Sequence, residues 1–494
     1  MSHDIDSGSS SNLQDRLDDE LWQRKDVGTL RALPCDLRLD QASIFYDKKK
    51  RMIDFSSNDY LGLARSTRQW SIVDEMYREH MKYSHADVIV EDDYIENGSQ
   101  RNHYLKEPLL GATGSRLLSG DTVLAHEIEA YLARLHNRES SLLFNSGYDA
   151  NMAILSCLPN LKTDFVVMDE LCHNSLQMGI RMARGYSQQS TRSHIGGLFK
   201  FRHNSIESLK EVIEKCQRRC NKSSHIFIVV ESVYSMEGDV APLADILCLA
   251  STMKNLNVIV DEAHGLGVYG ALNPSDMFLN EENGDTRSIE CHKQKCKYGG
   301  MGVIAALGFE QHPSLLCSVH TFGKAAGCHG AVVCMKQHVK TYFVNYARPF
   351  IYSTSLDPHS LICIQASYQY FISEKGNCDR FKLFHLVRRF RGLYVARMRQ
   401  HASRFKCKYN LFPSPSPIQS VLIPGNEKCK RISKELNKLG FGVYPIRAPT
   451  VPARKERIRI IIHVYNTEED ILNLVTHLVS ILIIEDSKLY RSKL

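Results

Sequence analysis

Val258-Ile259-Val260-Asp261-Glu262-Ala263-His264-Gly265 ends a short apolar run with two acids, a histidine and a glycine. An apolar run of this length, stopped by polar and turn residues, reads as a buried strand. Runs of the same kind recur at 141–144, 165–168, 226–231 and 331–335. Between them, 205–220 and 243–255 carry apolar residues at helical spacing. Strands that alternate with helices predict an α/β fold whose central sheet is mostly parallel and covered on both faces. Ligands of such sheets sit beyond the C-terminal strand ends. Asp261 and His264 are expected there.

Working outward, the 494 residues allow a large α/β domain and a smaller α+β partner. The expected division is an N-terminal arm over 1–53, a large domain over 54–355 and a small domain over 356–494. Residues 1–20 are polar and expected to be disordered, and 21–39 looks helical. A composition break near Pro358 and a proline-rich turn at 412–417 introduce the small domain. Strands are expected there at 419–423, 442–445 and 457–463, and a core helix at 471–484. Two polar stretches, 84–108 and 271–300, read as surface insertions.

Composition excludes several classes. Hydrophobic residues are 43% and charged residues 24%, as in an ordinary globular chain. The net charge of +7 is spread along the chain without a basic run interleaved with aromatics, so nucleic acid is not an expected partner. Apolar stretches are interrupted by Asn473, Thr476 and His477, so no membrane span is expected. Fifteen scattered cysteines behind a polar N-terminus argue for free thiols in a reducing compartment. Cys216 with Cys220, and Cys291 with Cys296, lack the spacing of a zinc site, and no metal is expected.

Four constellations carry chemistry. Thr321-Phe322-Gly323-Lys324 sets a lysine among small residues, where its amine can form a Schiff base with pyridoxal phosphate and shuttle protons. Asp261, at a strand end, can keep a pyridine nitrogen protonated. Asn145-Ser146-Gly147-Tyr148 turns from a strand into a helix, whose first amides form an anion site. His173 and Ser235 each follow a strand, within reach of a ring and its hydroxyl. The Asp-Glu-Ala-His run also occurs in ATPases, but these need an upstream phosphate loop ending in Gly-Lys-Ser/Thr. Gly323-Lys324 lies downstream and is followed by alanine, which rules that reading out.

The order of these motifs resembles the α-oxoamine synthase family of fold-type I pyridoxal-phosphate enzymes. The likeness runs from about Asp54 to Thr467 through FSSNDYLGL, GATGSRLLSG, NSGYDAN, ESVYSMEGD, VDEAHGLGVYG, HTFGK and APTVP. It implies a large domain with a mostly parallel sheet and a small α+β domain. Lys324 would be the Schiff-base lysine and general base, and Asp261 the partner of the ring nitrogen. His264 and Ser235 would lie on the phenolic oxygen side, and His173 would stack on the ring. Gly147, Tyr148 and Thr321 would hold the phosphate. Asn58 would lie on the substrate side, and Arg447 would take the amino-acid carboxylate. Thr450 and Arg31 would meet the acyl substrate. The family also implies a homodimer, with Tyr352-Ser353-Thr354-Ser355 completing the neighbouring site.

Within the family, HTFGK before an open glycine pattern, IYSTS at 351–355 and PTVP fit best the members that join L-alanine to pimeloyl-CoA. Related members use other substrates, as glycine C-acetyltransferase, 5-aminolevulinate synthase and serine palmitoyltransferase do. A non-catalytic, interaction-only member is the rival of another class, disfavoured because Lys324, Asp261 and His264 are all present. Three departures bear on acyl selectivity: Leu266, His329 and the insertion at 271–300 in place of a Gly-Arg-Gly. Ser492-Lys493-Leu494 reads as a peroxisomal address for an import receptor.

Overall fold

The computed structural model describes residues 12–26, 30, 38–40, 43–45, 51–86, 110–187, 196–270, 298–405, 409–448 and 450–491. The insertions expected at 84–108 and 271–300 fall almost wholly outside these residues, as do Arg31 and Ser492-Lys493-Leu494. Near the N-terminus an exposed helix spans Leu13–Asp26, so 13–20 is helical rather than disordered. The helix ends before residue 39, where the chain forms β1 (Arg38–Asp40), followed by β2 (Ser43–Phe45) and β3 (Arg51–Asp54).

The central sheet follows. Its strands are β4 (Ser140–Phe144), β5 (Phe165–Asp169), β6 (Gly197–Phe201), β7 (Ile226–Glu231), β8 (Leu256–Asp261), β9 (Leu315–Thr321) and β10 (Ala331–Met335). They lie in the order β4-β10-β9-β8-β7-β5-β6. Only β10 runs against its neighbours. Strands β4, β5, β7 and β10 are buried along their whole length. A parallel sheet covered by helices on both faces requires such unbroken apolar runs. Each buried Val, Ile or Phe contributes on the order of 2 kcal/mol through loss of apolar surface.

The register decides where chemistry can happen. Glu231 on β7 pairs with Asp261 on β8, and Asp261 with Val319 on β9. The acids that end β7 and β8 are therefore neighbours on one sheet edge. Because β10 is antiparallel, its first residue, Ala331, faces both Phe144 and Thr321. The chain leaving β4, the chain leaving β9 and the chain entering β10 thus meet at that same edge.

Downstream come β11 (Ile418–Leu422), β12 (Phe441–Gly442), β13 (Tyr444–Ile446) and β14 (Arg457–Ile461). β11, β14 and β13 form an antiparallel sheet, while β12 pairs in parallel with β3. The strand expected at 442–445 is therefore two short strands in different sheets. Phe55 and Phe441 bring their rings to 6.3 Å, and the Ile461 amide donates to the Phe55 carbonyl at 2.8 Å. Residues 51–65 are thereby bound to the C-terminal part of the chain. Long helices cover this region: Pro358–Ile372, Glu374–Gln400 and Glu468–Arg491. The last contains the expected core helix. Among the described residues no helix is long and apolar enough to cross a membrane. Every described cysteine is a free thiol.

Candidate active site

A cavity of about 400 Å³ opens at the sheet edge where those three chain segments meet. Asn58, Gly147, Tyr148, His173, Ser235, Asp261, His264, Thr321 and Lys324 all line it. Arg447 and Thr450 do not: Arg447 is half-buried just after β13, and Thr450 is exposed. The guanidinium in the cavity belongs to Arg459, in the middle of β14.

One end of the cavity is an anion cradle. Ser146 caps the helix Gly147–Cys157, its hydroxyl accepting from the Asp149 amide at 3.1 Å. The first amides of that helix have no carbonyl partner within it and attract negative charge. Gly147 matters for close contact rather than for backbone shape. A Cβ there would stand 3.1 Å from Thr321 Cβ and 3.3 Å from its hydroxyl.

The middle is a set of acids and bases held by second partners. Asp261 ends β8, and its carboxylate accepts from Asn151 Nδ2 at 2.7 Å and the Ala263 amide at 2.9 Å. Asn151 Nδ2 also donates to Ser175 Oγ at 3.0 Å, and that hydroxyl lies 2.8 Å from His173 Nδ1. The Ser175 amide donates to the same nitrogen at 3.3 Å. His173 Nδ1 is therefore an acceptor, and in the neutral ring the proton sits on Nε2. Burial lowers the His173 pKa further than Asp261 raises it, with Lys324 adding to the lowering. The ring is thus kept neutral.

Lys324 faces this group. Burial lowers its amine pKa, Asp261 and Glu231 oppose that, and Arg459 adds to it. Glu231 accepts the His173 amide at 2.6 Å. Burial and the nearby Asp261 push its carboxyl well above the usual range. A carboxyl buried beside another carboxylate favours its protonated form, and Glu231 is that carboxyl here. His264 is held neutral by burial and by the positive Lys324 and Arg459. Its Nδ1 lies 2.6 Å from the Tyr60 hydroxyl. Arg459 donates from Nη2 to Asn58 Oδ1 at 3.0 Å and from Nε to the Ser235 carbonyl at 2.8 Å. These bonds aim a guanidinium across the cavity from Lys324.

A phosphate cradle, an aromatic platform, a carboxylate at a strand end and a buried amine form one donor set on this edge. The family model for class I and II aminotransferases matches residues 50–478. The chain belongs to that family. It is 32% identical over 426 residues to an 8-amino-7-oxononanoate synthase of Emericella nidulans, covering 85% of this chain and 86% of the relative. A serine palmitoyltransferase of Sphingomonas wittichii superposes with a TM-score of 0.69 at 21% identity, over 95% of this chain and 98% of that one. An 8-amino-7-oxononanoate synthase of Francisella tularensis does so with a TM-score of 0.60 at 22% identity, over 88% and 98%. The two structures establish the fold, and the similarity to curated relatives sets the chain with the α-oxoamine synthases of its family.

Pyridoxal phosphate is the cofactor of this family, and the cavity fits it. The Ser146–Gly147 turn and Thr321 suit the phosphate, His173 the ring face, Asp261 the ring nitrogen and Lys324 the carbonyl carbon.

Arg459, Tyr60, Asn151, Ser175 and Glu231 went unassigned in the sequence. Tyr60, Asn151 and Glu231 stand inside the motifs FSSNDYLGL, NSGYDAN and ESVYSMEGD. Arg459 had its own signal: Arg457 and Arg459 alternate in an otherwise apolar strand, so both point to one face. Arg457 spends its charge on Glu237 at 2.5 Å. The second arginine turns its charge into the cavity.

Proposed function

We propose that this chain condenses L-alanine with pimeloyl-CoA, releasing CoA and carbon dioxide and forming 8-amino-7-oxononanoate. The observation that carries the reading is the facing pair of Lys324 and Arg459 across a cavity that also holds Asp261 and His173. An amino acid needs a base at its α-carbon and a cation at its carboxylate, and this pair supplies both. The named activity of the curated relative supports the choice of substrates.

The cofactor supplies an electron-withdrawing ring that stabilises negative charge at the substrate α-carbon. The protein's own groups do the rest. Arg459 takes the place expected for Arg447 and binds the alanine carboxylate with its planar fork. Lys324 Nζ, its pKa lowered by burial, is the base that accepts the α-proton. Asp261, fixed by Asn151 and the Ala263 amide, would hold a proton on the cofactor's ring nitrogen. His173, its Nδ1 fixed by Ser175, would stack on the cofactor ring. His264 stays neutral, its ring fixed by the Tyr60 hydroxyl at Nδ1, and faces the cavity without adding charge.

A homodimer and peroxisomal delivery belong to the same reading. Tyr352-Ser353-Thr354-Ser355 and Ser492-Lys493-Leu494 support them. Sedimentation and the location of a tagged chain with Leu494 deleted test each. The substrate reading is tested by following CoA release from pimeloyl-, acetyl-, succinyl- and palmitoyl-CoA, with L-alanine, glycine or L-serine as co-substrate. Pimeloyl-CoA with alanine should be turned over fastest, and Lys324→Ala should lose at least about a thousandfold in kcat. Preference for another thioester would move the chain to another α-oxoamine synthase activity. Normal turnover by Lys324→Ala would overturn the assignment of the base.

A further inference from the structure

Behind the Lys324 loop, three side chains from distant parts of the chain converge on one face of the central sheet. His320 comes from β9, Cys334 from β10 and His136 from the turn that closes the helix Val123–Leu135. Each offers one ligand atom, and the three atoms lie within 4.8 Å of one another. All three residues are buried: His136 is 4%, His320 1% and Cys334 0% exposed. The sheet explains the meeting. Cys334 pairs with Ser318, and His320, two residues on from Ser318, shares its face.

Two observations distinguish this cluster from packed core histidines. The first is an unpartnered ring nitrogen. His320 Nδ1 is buried and has no hydrogen-bond partner among the described residues, and such orphaned atoms are rare in folded proteins. The second is the disposition of the other nitrogens. His320 Nε2 lies 2.9 Å from Ser318 Oγ, and His136 Nε2 lies 2.8 Å from Tyr368 Oη. One nitrogen of each ring is thus fixed by a hydroxyl, as outer partners fix metal-binding imidazoles. The ring centroids are 3.9 Å apart.

The donor set selects the ion. Zinc asks for a fourth ligand, whereas two imidazoles and one thiolate satisfy a soft monovalent ion.

We infer that His136, His320 and Cys334 form a buried three-coordinate site for a soft monovalent cation of the copper(I) class. Loading exchanges the Cys334 thiol proton for the metal: the S–H bond breaks, an S–Cu bond forms, the proton leaves to solvent and no electron is transferred. The bound ion clamps β9 to β10 one residue before Thr321, on the wall of the active cavity. No cysteine spacing announces the site, because its ligands come from residues 136, 320 and 334.

The test uses the full chain, produced with copper supplied and washed anaerobically with a copper(I) chelator to strip exposed thiols. The wild type should keep one copper per chain. Cys334→Ser and His320→Asn, checked for folding by circular dichroism, should each keep less than about a tenth of that. X-ray absorption on the wild type should give two nitrogen donors and one sulfur, and it stands even if both variants fail to fold. No retained copper, retention undiminished in folded variants, an all-sulfur shell, or retention of zinc(II) alone would each overturn the site.

Discussion

The arginine choice is the sharpest claim at the scale of single residues. Arg459 has its guanidinium in the cavity, with Nε and one Nη already oriented by Ser235 and Asn58. Arg447 is half-buried after β13 and outside the cavity wall. A charge-assisted contact to a carboxylate stabilises by roughly 2–3 kcal/mol, or about 30- to 150-fold in affinity. Arg459→Ala should therefore raise KM for the amino acid by about that factor, and Arg447→Ala should leave it within about twofold. Steady-state kinetics with varied amino acid checks both, and equal effects from the two variants would return the carboxylate to Arg447. The same arginine lacks the local signature that its neighbours in the site carry. Lys324, Asp261 and His264 were legible because each sits in a polar interruption after an apolar run. Arg459 lies inside a strand and looked like part of its pattern.

Secondary-structure elements bring two further predictions. The helix Gly147–Cys157 aims its N-terminus at the cavity, and Gly147 lets it approach Thr321 closely. A Cβ at 3.1 Å is tighter than ordinary contact, so Gly147→Ala should push that helix from β9. Its amides would then sit wrongly for a phosphate. Pyridoxal phosphate affinity should fall by about tenfold or more, read by equilibrium titration of the apoprotein. The second concerns His203, which joins the end of β5 to the turn after β7. It lies 3.0 Å from Asp169 and 2.7 Å from Asp239. Hydrogen bonds to these two acids outweigh burial and raise its pKa to about 10. A raised folded-state value means the stabilisation is fully present below the unfolded value near 6.5 and is lost as pH rises through 10. Urea unfolding from pH 6.5 to 10.5 should show a loss on the order of a few kcal/mol, and His203→Gln should flatten it. The element pattern itself was readable where strands are uniformly apolar. β9 was harder to read because Ser318, His320 and Thr321 interrupt it. The edge strand β6, only partly buried, carries a glycine and a lysine. The helix Glu374–Gln400 has no clear sequence signature because six arginines spread over its faces blur the apolar stripe.

For the molecule as a whole, the question is what joins its N-terminal strands to its C-terminal part. β3 pairs with β12 although nearly the whole chain lies between them, and Asp54 stands at that junction. Its carboxylate accepts from Arg65 at 2.5 Å, Ser57 Oγ at 2.7 Å and Tyr465 Oη at 3.0 Å. It therefore ties the strand, the turn that carries Asn58 and Tyr60, and the loop after β14 into one unit. Such a contact between ends far apart in the chain leaves no local pattern, so only the strand at 457–463 was expected of it. Burial raises the Asp54 pKa, but His463, Ser57, the Ser56 amide and Arg65 together hold it well below the usual carboxylate range. With the folded value lowered, the stabilisation is present above the unfolded value near 4 and fades as pH falls below it. Asp54→Ala leaves Arg65, 8% exposed, without its main partner. Removing one side of a buried pair costs about 3–5 kcal/mol. The variant should lose about that much in urea unfolding at pH 7, and the difference from wild type should narrow toward pH 3. Because Asn58 and Tyr60 hang from the same turn, the folded remainder should also show a higher KM for the amino acid. An unchanged unfolding midpoint would mean that the β3–β12 pairing and the Phe55–Phe441 contact hold the two ends together without the charge.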